Sequence, residues 1–197
     1  MGTLLLLVIV AFVLGSIPFG IITARAKGID LKKVGSGNIG ATNVLRSLGR
    51  WPAVITLAGD MLKGTAAVAL ARVAGVEPVY EGFIGIAAIL GHNYSVFLGF
   101  RGGKGVAASF GVLLIYLPSG ALLSLAIWLI IVLLTRYSSL GAIVSFALLP
   151  VWVFLLEAQD RTKLLVSALI SFFIIIRHID NIKRLVQGTE RKIGQRG

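Results

Sequence analysis

The chain has 197 residues, 57% of them hydrophobic, and its 19 Lys and Arg outnumber 8 Asp and Glu to give a formal net charge of +11. The absence of cysteine excludes disulfides, thiolate nucleophiles and cysteine-ligated metals. Uncharged runs of spanning length exclude an ordinary soluble domain, because about 20 apolar residues in a helix cross a hydrocarbon core of roughly 30 Å.

The first run, 3–24, carries no charge. It reads as a spanning helix, since a signal peptide has a basic n-region and a shorter apolar stretch, and no positive charge precedes Arg25. Ser16 and Pro18, in SIPFG, break its apolar pattern. The 26 residues from Arg25 to Arg50 follow as the one long connection, and loops of that length carry function or local structure.

Within that connection lies VGSGNIGATN, with Gly35, Gly37 and Gly40 at the G-x-G-x-x-G spacing of a dinucleotide-binding turn. The fingerprint requires a strand before the turn and a helix after it in a βαβ unit. Here a span and the basic stretch ARAKGIDLKKV come first, so no parallel sheet can form. Two readings stay open, a polar interhelical turn and an anion site. The second draws on clustered glycine amides, on Ser36, Asn38, Thr42 and Asn43 as short hydrogen-bonding side chains, and on the planar fork of Arg46.

The second run, 52–73, contains Asp60 and Lys63, three apart and able to pair on one helix face. Ionisable groups inside a span face the bundle interior or a polar cavity. The pair reads as a support for a site, with helix-packing glue as the alternative. His92 falls in the third run, 82–100, and reads as structural.

FRGGKG then supplies Arg101, Gly102, Gly103, Lys104 and Gly105 at the entrance to the fourth run, 105–117. It is not a Walker A loop: Leu98 stands at the first glycine position, and Gly105 stands where Ser or Thr should bind Mg²⁺. A glycine loop with one lysine opening into a helix reads as a phosphate cradle, or else as a cytoplasmic basic loop. LPSG separates the fourth run from the fifth, 119–135, leaving one broken helix or two. Runs 139–156 and 163–177 complete the series.

RHIDNIKRLVQGTE follows the last run. On a helix, His178 and Asn181, Arg177 and Asn181, and Arg177 and Arg184 share a face. His178 reads as a general base, an anion donor when protonated, or an interfacial residue. The terminal ERKIGQRG reads as a solvated tail.

Charge selects seven spans over six, because basic residues concentrate in short cytoplasmic loops. Seven spans place 15 of the 19 basic residues on one side: Arg25, Lys27, Lys32, Lys33, Arg46, Arg50, Arg101, Lys104, Arg136, Arg177, Lys183, Arg184, Arg191, Lys192 and Arg196. The fold class expected is therefore an all-α polytopic membrane protein, one domain over 1–197, with seven transmembrane helices. Its N-terminus is expected outside and its C-terminus in the cytoplasm.

GSGNIGATN with Arg46 behind it, GH followed by FRGGKGVAA, and RHIDNIKRLVQGTE together resemble the bacterial acyl-phosphate:glycerol-3-phosphate acyltransferases. SIPFG and DMLKG match secondary signatures of the family, and the likeness runs in order over nearly the whole chain. Arg101 stands where a Lys is common and Ala108 where a Thr is common.

The resemblance implies transfer of a fatty acyl group from acyl phosphate to the sn-1 hydroxyl of glycerol 3-phosphate. Lysophosphatidic acid and phosphate would be released at the cytoplasmic face of a bacterial inner membrane. No metal, nucleotide cofactor or nucleic-acid partner is expected, and the oligomeric state is left open. The glycine loops, Ser36, Asn38 and Lys104 are expected to hold the acyl phosphate, and Arg46, His178 and Asn181 the glycerol 3-phosphate. Gly35, Gly37, Gly40, Thr42, Asn43, Arg101, Gly102, Gly103, Gly105, Arg177 and Arg184 are expected to bind substrate; Ser16, Asp60, Lys63 and His92 are expected to support the site. A substrate phosphate is favoured over His178 as proton acceptor, because Asp180, two residues on, falls on another face. The alternative from another class is an organic-anion or phosphate transporter, but no internal repeat of the kind transporters show is visible.

Overall fold

A computed structural model describes residues 1–157 and 160–195; Arg196, counted above with the basic face, lies outside the described residues. The described chain is all-helical, with α1 (Gly2–Ser16), α2 (Phe19–Arg25), α3 (Ala41–Leu48), α4 (Arg50–Val73), α5 (Pro78–Asn93), α6 (Val106–Tyr116), α7 (Pro118–Thr135), α8 (Ser138–Leu156), α9 (Arg161–Arg177) and α10 (Ile179–Val186). Two 3₁₀ turns, Leu31–Lys33 and Val96–Leu98, lie in the connections. Four stretches are long and apolar enough to cross a membrane: α1 with α2, α4, α7 and α8. A fifth is added if α9 and α10, bent by 58° at their junction, count as one span. The protein is thus an all-helical polytopic membrane protein. Its α5 and α6 are shorter, at 16 and 11 residues.

Helix ends follow from local chemistry. Pro18 cannot donate to the ladder and disfavours helical geometry before it, so Ile17 turns extended (ψ 118°) and α1 stops. The carbonyls freed by this break are met by other elements. Lys63 Nζ donates to the Ile17 carbonyl at 2.9 Å, and Ser95 Oγ donates to the Ser16 carbonyl at 2.6 Å. An intramembrane lysine therefore has a local task, which is to cap an interrupted helix.

Packing relies on small residues. A Cβ at Gly64 would strike the Ala108 backbone, and one at Gly111 would strike the Met61 backbone, so α4 and α6 lie nearly backbone to backbone. Gly15 and Gly91 do the same for α1 and α5. Phe110 and Phe146 meet edge to face at 5.2 Å in the largest core cluster, among Val112, Leu113, Leu149 and Ile170.

One expectation changes in detail, and one open choice is decided. The third run does not continue helically to residue 100: α5 ends at Asn93, and the chain reverses through Gly99 (φ 58°) and Phe100 (φ 63°). Residues 94–100 do not extend the helix, and Tyr94, Val96, Phe97 and Phe100 are exposed along the reversal. The fourth and fifth runs are two helices, since Leu117 precedes Pro118 and is held out of helical geometry (φ −147°, ψ 73°). The helices α6 and α7 then diverge to separate partners, α4 and α8.

The Arg25–Arg50 connection is ordered onto α2 and α4. Leu31, Ile39 and Val44 are buried with Ile21, Ala24 and Ala53 in a small separate core. This packing brings the glycine loop to the same end of the bundle as the 101–105 loop and the α9–α10 bend. At the opposite end Arg72 pairs with Glu81 at 2.7 Å, and Lys163 pairs with Glu157.

Candidate active site

The glycine loop is organised by Asn43, which is 2% exposed on α3. Its Nδ2 donates to the carbonyls of Asn38 (2.8 Å) and Val34 (3.2 Å), and its Oδ1 accepts from the Ser36 amide at 2.8 Å. Asn38 Oδ1 accepts from the Gly40 amide at 2.9 Å, closing an Asx turn just before α3. Gly35 and Gly37 hold positive φ (60° and 68°), and any Cβ at Gly35 would collide with the Asn43 amide. Several loop amides are therefore consumed internally. Side chains and the opening amides of α3, which lack intrahelical acceptors, are what the loop presents to a ligand.

The 101–105 loop differs from its expected form. The Gly102 and Gly103 amides donate back to the Asn93 and His92 carbonyls (3.1 and 3.0 Å), so they do not face an anion. Arg177 donates to both loop carbonyls, to Gly103 at 2.9 Å and Gly102 at 3.2 Å, and stacks over Tyr94. Arg177 is thus a clamp on this loop and not one of the cavity's walls. Arg101 is exposed and also stays outside the cavity, as do Gly37, Gly102 and Gly103. What the clamped loop delivers is Lys104, whose Nζ donates to Asn181 Oδ1, and Gly105 (φ 85°), which caps α6.

These groups surround one cavity of about 490 Å³. Its polar end is lined by Gly35, Ser36, Asn38, Gly40, Thr42, Asn43, Arg46, Lys104, Gly105, His178, Asn181 and Arg184. Thr42 Oγ1 lies 3.2 Å from Ser138 Oγ. Arg46 donates Nη2 to the Arg191 carbonyl at 2.8 Å, while its buried Nε has no acceptor. The apolar end is lined by Leu57, Met61, Phe110, Leu114, Leu122 and Leu125. A cation-rich pocket thus opens directly into a hydrocarbon groove.

Electrostatics at the polar end follow from burial. Burial lowers the Lys104 ammonium to about 8, with Arg184 and Arg177 opposing its charge and Glu190 favouring it. His178, beyond the end of α9, is 3% exposed. Its Nδ1 lies 2.7 Å from the Ile174 carbonyl and must donate to it, so the neutral ring offers Nε2 as acceptor. Burial, with Lys104 adding to it, pushes this imidazole down to about 4. The ring is neutral at physiological pH and is a weak base.

The support residues divide. Asp60 and His92 line the cavity floor, with His92 Nδ1 3.5 Å from Asp60 Oδ1 and Lys63 Nζ 2.8 Å from the same oxygen. Lys63 and Ser16 are buried behind the cavity and serve the α1 break. Gly103 lies flat against the His92 ring, where a Cβ would strike Nε2.

The terminal segment is not a solvated tail. Glu190 accepts from Ser139 Oγ, Asn181 Nδ2 and Arg184 Nε, each at 2.7 Å. Burial pushes its carboxyl up, but those hydrogen bonds outweigh burial and hold it below the usual range. Arg191 donates to the Gly35 carbonyl at 3.0 Å, and the Ile193 amide donates to Arg136 at 2.8 Å. Sequence reasoning missed Glu190. The available signal was Gly188, whose positive φ (68°) ends α10 and turns the chain back so that Thr189 and Glu190 donate to the Arg184 carbonyl.

Comparison with known proteins agrees with this geometry. A sequence profile of the family described as glycerol-3-phosphate acyltransferase matches residues 5–188. The glycerol-3-phosphate acyltransferase of Geobacter sulfurreducens is 47% identical over 190 residues, covering 95% of this chain and 96% of the relative. That of Rubrobacter xylanophilus is 44% identical, covering 97% and 96%. The crystal structure of PlsY (YgiH), described as an integral membrane glycerol 3-phosphate acyltransferase in its glycerol 3-phosphate form, superposes with a TM-score of 0.92 at 43% identity, covering 98% of this chain and 96% of that one. Its lysophosphatidic acid form gives 0.89 at 42% identity. The chain belongs to the glycerol-3-phosphate acyltransferase family, as an integral membrane, multi-pass member of it.

Proposed function

We propose that this acyltransferase takes its acyl group from acyl phosphate and places it on the sn-1 hydroxyl of glycerol 3-phosphate, releasing lysophosphatidic acid and phosphate. The observation that carries the reading is the continuity of the polar pocket around Lys104, Arg46 and Ser36 with the groove of Phe110, Leu114 and Leu122. Such a cavity suits a ligand with a phosphate head and a hydrocarbon tail. The forms of the similar solved structures, one with glycerol 3-phosphate and one with lysophosphatidic acid, support the acceptor and product.

Acyl phosphate is a mixed anhydride with its own leaving group, so catalysis needs placement and charge neutralisation more than a protein nucleophile. In this reading Ser36, Lys104 and the α3 N-terminus hold the acyl phosphate, and Lys104 neutralises the departing phosphate. Arg46, with its unpartnered Nε, and Arg184 receive the phosphate of glycerol 3-phosphate. Asn181 holds Lys104 in place and faces the acceptor. The sn-2 hydroxyl of the acceptor donates to His178 Nε2, which orients the substrate, and the attacking sn-1 hydroxyl donates to an oxygen of the acyl phosphate. The C–O bond to the hydroxyl forms as the acyl–oxygen bond to phosphate breaks, and the proton leaves on the phosphate. A ring held near pKa 4 is too weak a base to be the terminal acceptor.

The same reading makes residues 1–197 one domain with seven spans, formed by α1 with α2, α4, α5, α6, α7, α8 and α9. The basic residues clustered at the site's end support a reading in which that end faces the cytoplasm of a bacterial inner membrane and the N-terminus lies outside. The test is a product assay on solubilised protein given labelled glycerol 3-phosphate with palmitoyl phosphate, palmitoyl-CoA or an acyl carrier protein thioester, with and without chelator. Lysophosphatidic acid from acyl phosphate alone, unaffected by chelator, is expected. Product from the thioesters instead would overturn the donor assignment. Labelled uptake into vesicles without lipid product would favour the transporter.

A further inference from the structure

The apolar groove has two unlike walls. Its inner wall is small and closed: Ala121 on α7 and Ala142 on α8 line the cavity at 2% exposure each. Its outer wall is open. Leu57, Leu114, Leu122 and Leu125 line the same cavity yet are 43%, 44%, 65% and 41% exposed. The groove therefore communicates with the lipid along its flank.

Its length can be read from two helices. The polar end is marked on α6 by Gly105 beside Lys104, and on α7 by Trp128, whose Nε1 donates to the Ser138 carbonyl at 3.3 Å. From Gly105 to Leu114 is a rise of about 13 Å, and from Trp128 back to Ala121 about 10 Å. An extended chain advances about 1.2 Å per bond, so this groove accompanies roughly eight to eleven carbons beyond the reacting carbonyl.

We infer that this site imposes a minimum acyl length near ten to twelve carbons and no maximum, with Ala121 setting where the groove's contribution stops. This rests on the acyl-phosphate reading above. Carbons alongside Phe110 and Ala142 are gripped by protein. Those beyond Ala121 and Leu114 pass out through the open flank into the bilayer, which is as apolar as the leucines it replaces. A groove closed on every side would act as a ruler and reject long chains; this one is open along the flank of Leu57, Leu114, Leu122 and Leu125.

The experiment measures kcat/KM for octanoyl, decanoyl, dodecanoyl, palmitoyl and stearoyl phosphate in lipid nanodiscs, at matched mole fractions in the bilayer corrected for measured partitioning. The rate is expected to rise from octanoyl to dodecanoyl and then stay level within about twofold to stearoyl. The rise is expected to be smaller than the about fourfold per methylene of transfer from water, because lipid is the reference. Ala121→Leu, with its fold checked by an unchanged helical circular dichroism spectrum and size-exclusion profile, is expected to move the break to shorter chains. Leu122→Ala, on the open flank, is expected to leave the break where it is. A fall beyond dodecanoyl, a continued rise to stearoyl, a level profile from octanoyl upward, an unmoved break in Ala121→Leu or a moved one in Leu122→Ala would each overturn the inference. Absence of lysophosphatidic acid from every acyl phosphate would instead overturn the donor reading on which it rests.

Discussion

Raising the pH should disable this enzyme through Lys104 well before ordinary lysines titrate. With its ammonium lowered to about 8, Lys104 is mostly charged at pH 7, half charged near pH 8 and about one-tenth charged at pH 9. The cation is the form that neutralises phosphate, so activity is lost as pH rises through that value. For free enzyme, kcat/KM should fall by about tenfold between pH 7 and pH 9, whereas the limb in kcat should move to higher pH because bound phosphates favour the ammonium. The substrates' own second phosphate ionisation lies near 6 and cannot produce an alkaline limb. The decisive comparison is Lys104→Arg. Guanidinium does not titrate in this range, so the variant should lose rate through altered geometry but show a level profile from pH 7 to pH 9.5. An alkaline limb that survives in Lys104→Arg, or a wild-type profile level to pH 9, would refute the assignment of charge neutralisation to this residue.

His178→Gln keeps a hydrogen-bonding side chain at the hydroxyl and should retain kcat within about a hundredfold; a loss beyond about 10⁴-fold would identify His178 as the terminal base. Glu190→Gln removes the charge from three hydrogen bonds and should raise KM for glycerol 3-phosphate more than tenfold through misplacement of Asn181 and Arg184, with steady-state kinetics as the check. Lys63→Met leaves Asp60 buried beside an uncapped Ile17 carbonyl and should cost about 3–5 kcal/mol of stability, read as a fall in Tm in detergent. The double variant Asp60→Asn/Lys63→Met should recover part of that loss, and no recovery would mean that the carbonyl cap, not the charge pair, dominates. Arg177→Lys replaces a forked clamp by a point donor and should lower kcat/KM for both substrates by freeing the Lys104 loop, measurable as faster amide exchange at Gly102 and Gly103.

Helix positions were legible because lipid imposes its requirement one run at a time. Apolar length and proline or glycine punctuation are local properties, and the structure has helix in each of the seven apolar runs. The third run misled because Val96, Phe97 and Phe100 are exposed on a segment that reverses after α5, and composition does not distinguish such a segment from a continuing helix. At the site, Ser36, Arg46, Lys104, His178 and Asn181 come from three separated clusters and line one cavity. Their convergence was foreshadowed by the side to which charge assigned all three. The partners of individual atoms were not legible. That Gly102 and Gly103 spend their amides on the end of α5 depends on how α5 meets the loop, and the acceptors of Arg177 are set by that same meeting. Glu190 was hidden for a related reason: its three partners sit on α8 and α10, and no spacing in the chain announces the first of them.

The docking of residues 190–193 has a consequence for biogenesis. Arg191 reaches Gly35 across 156 positions of sequence, and Glu190 ties α8 to α10. Chains emerge and insert from the N-terminal side, so the glycine loop is in place long before the segment that braces it. The pocket is therefore completed by a stretch that follows all ten helices in the chain. A ribosome-bound or truncated chain that ends before residue 190 would have every helix inserted and still hold an unlatched Arg46 and an Asn181 without its Glu190 partner.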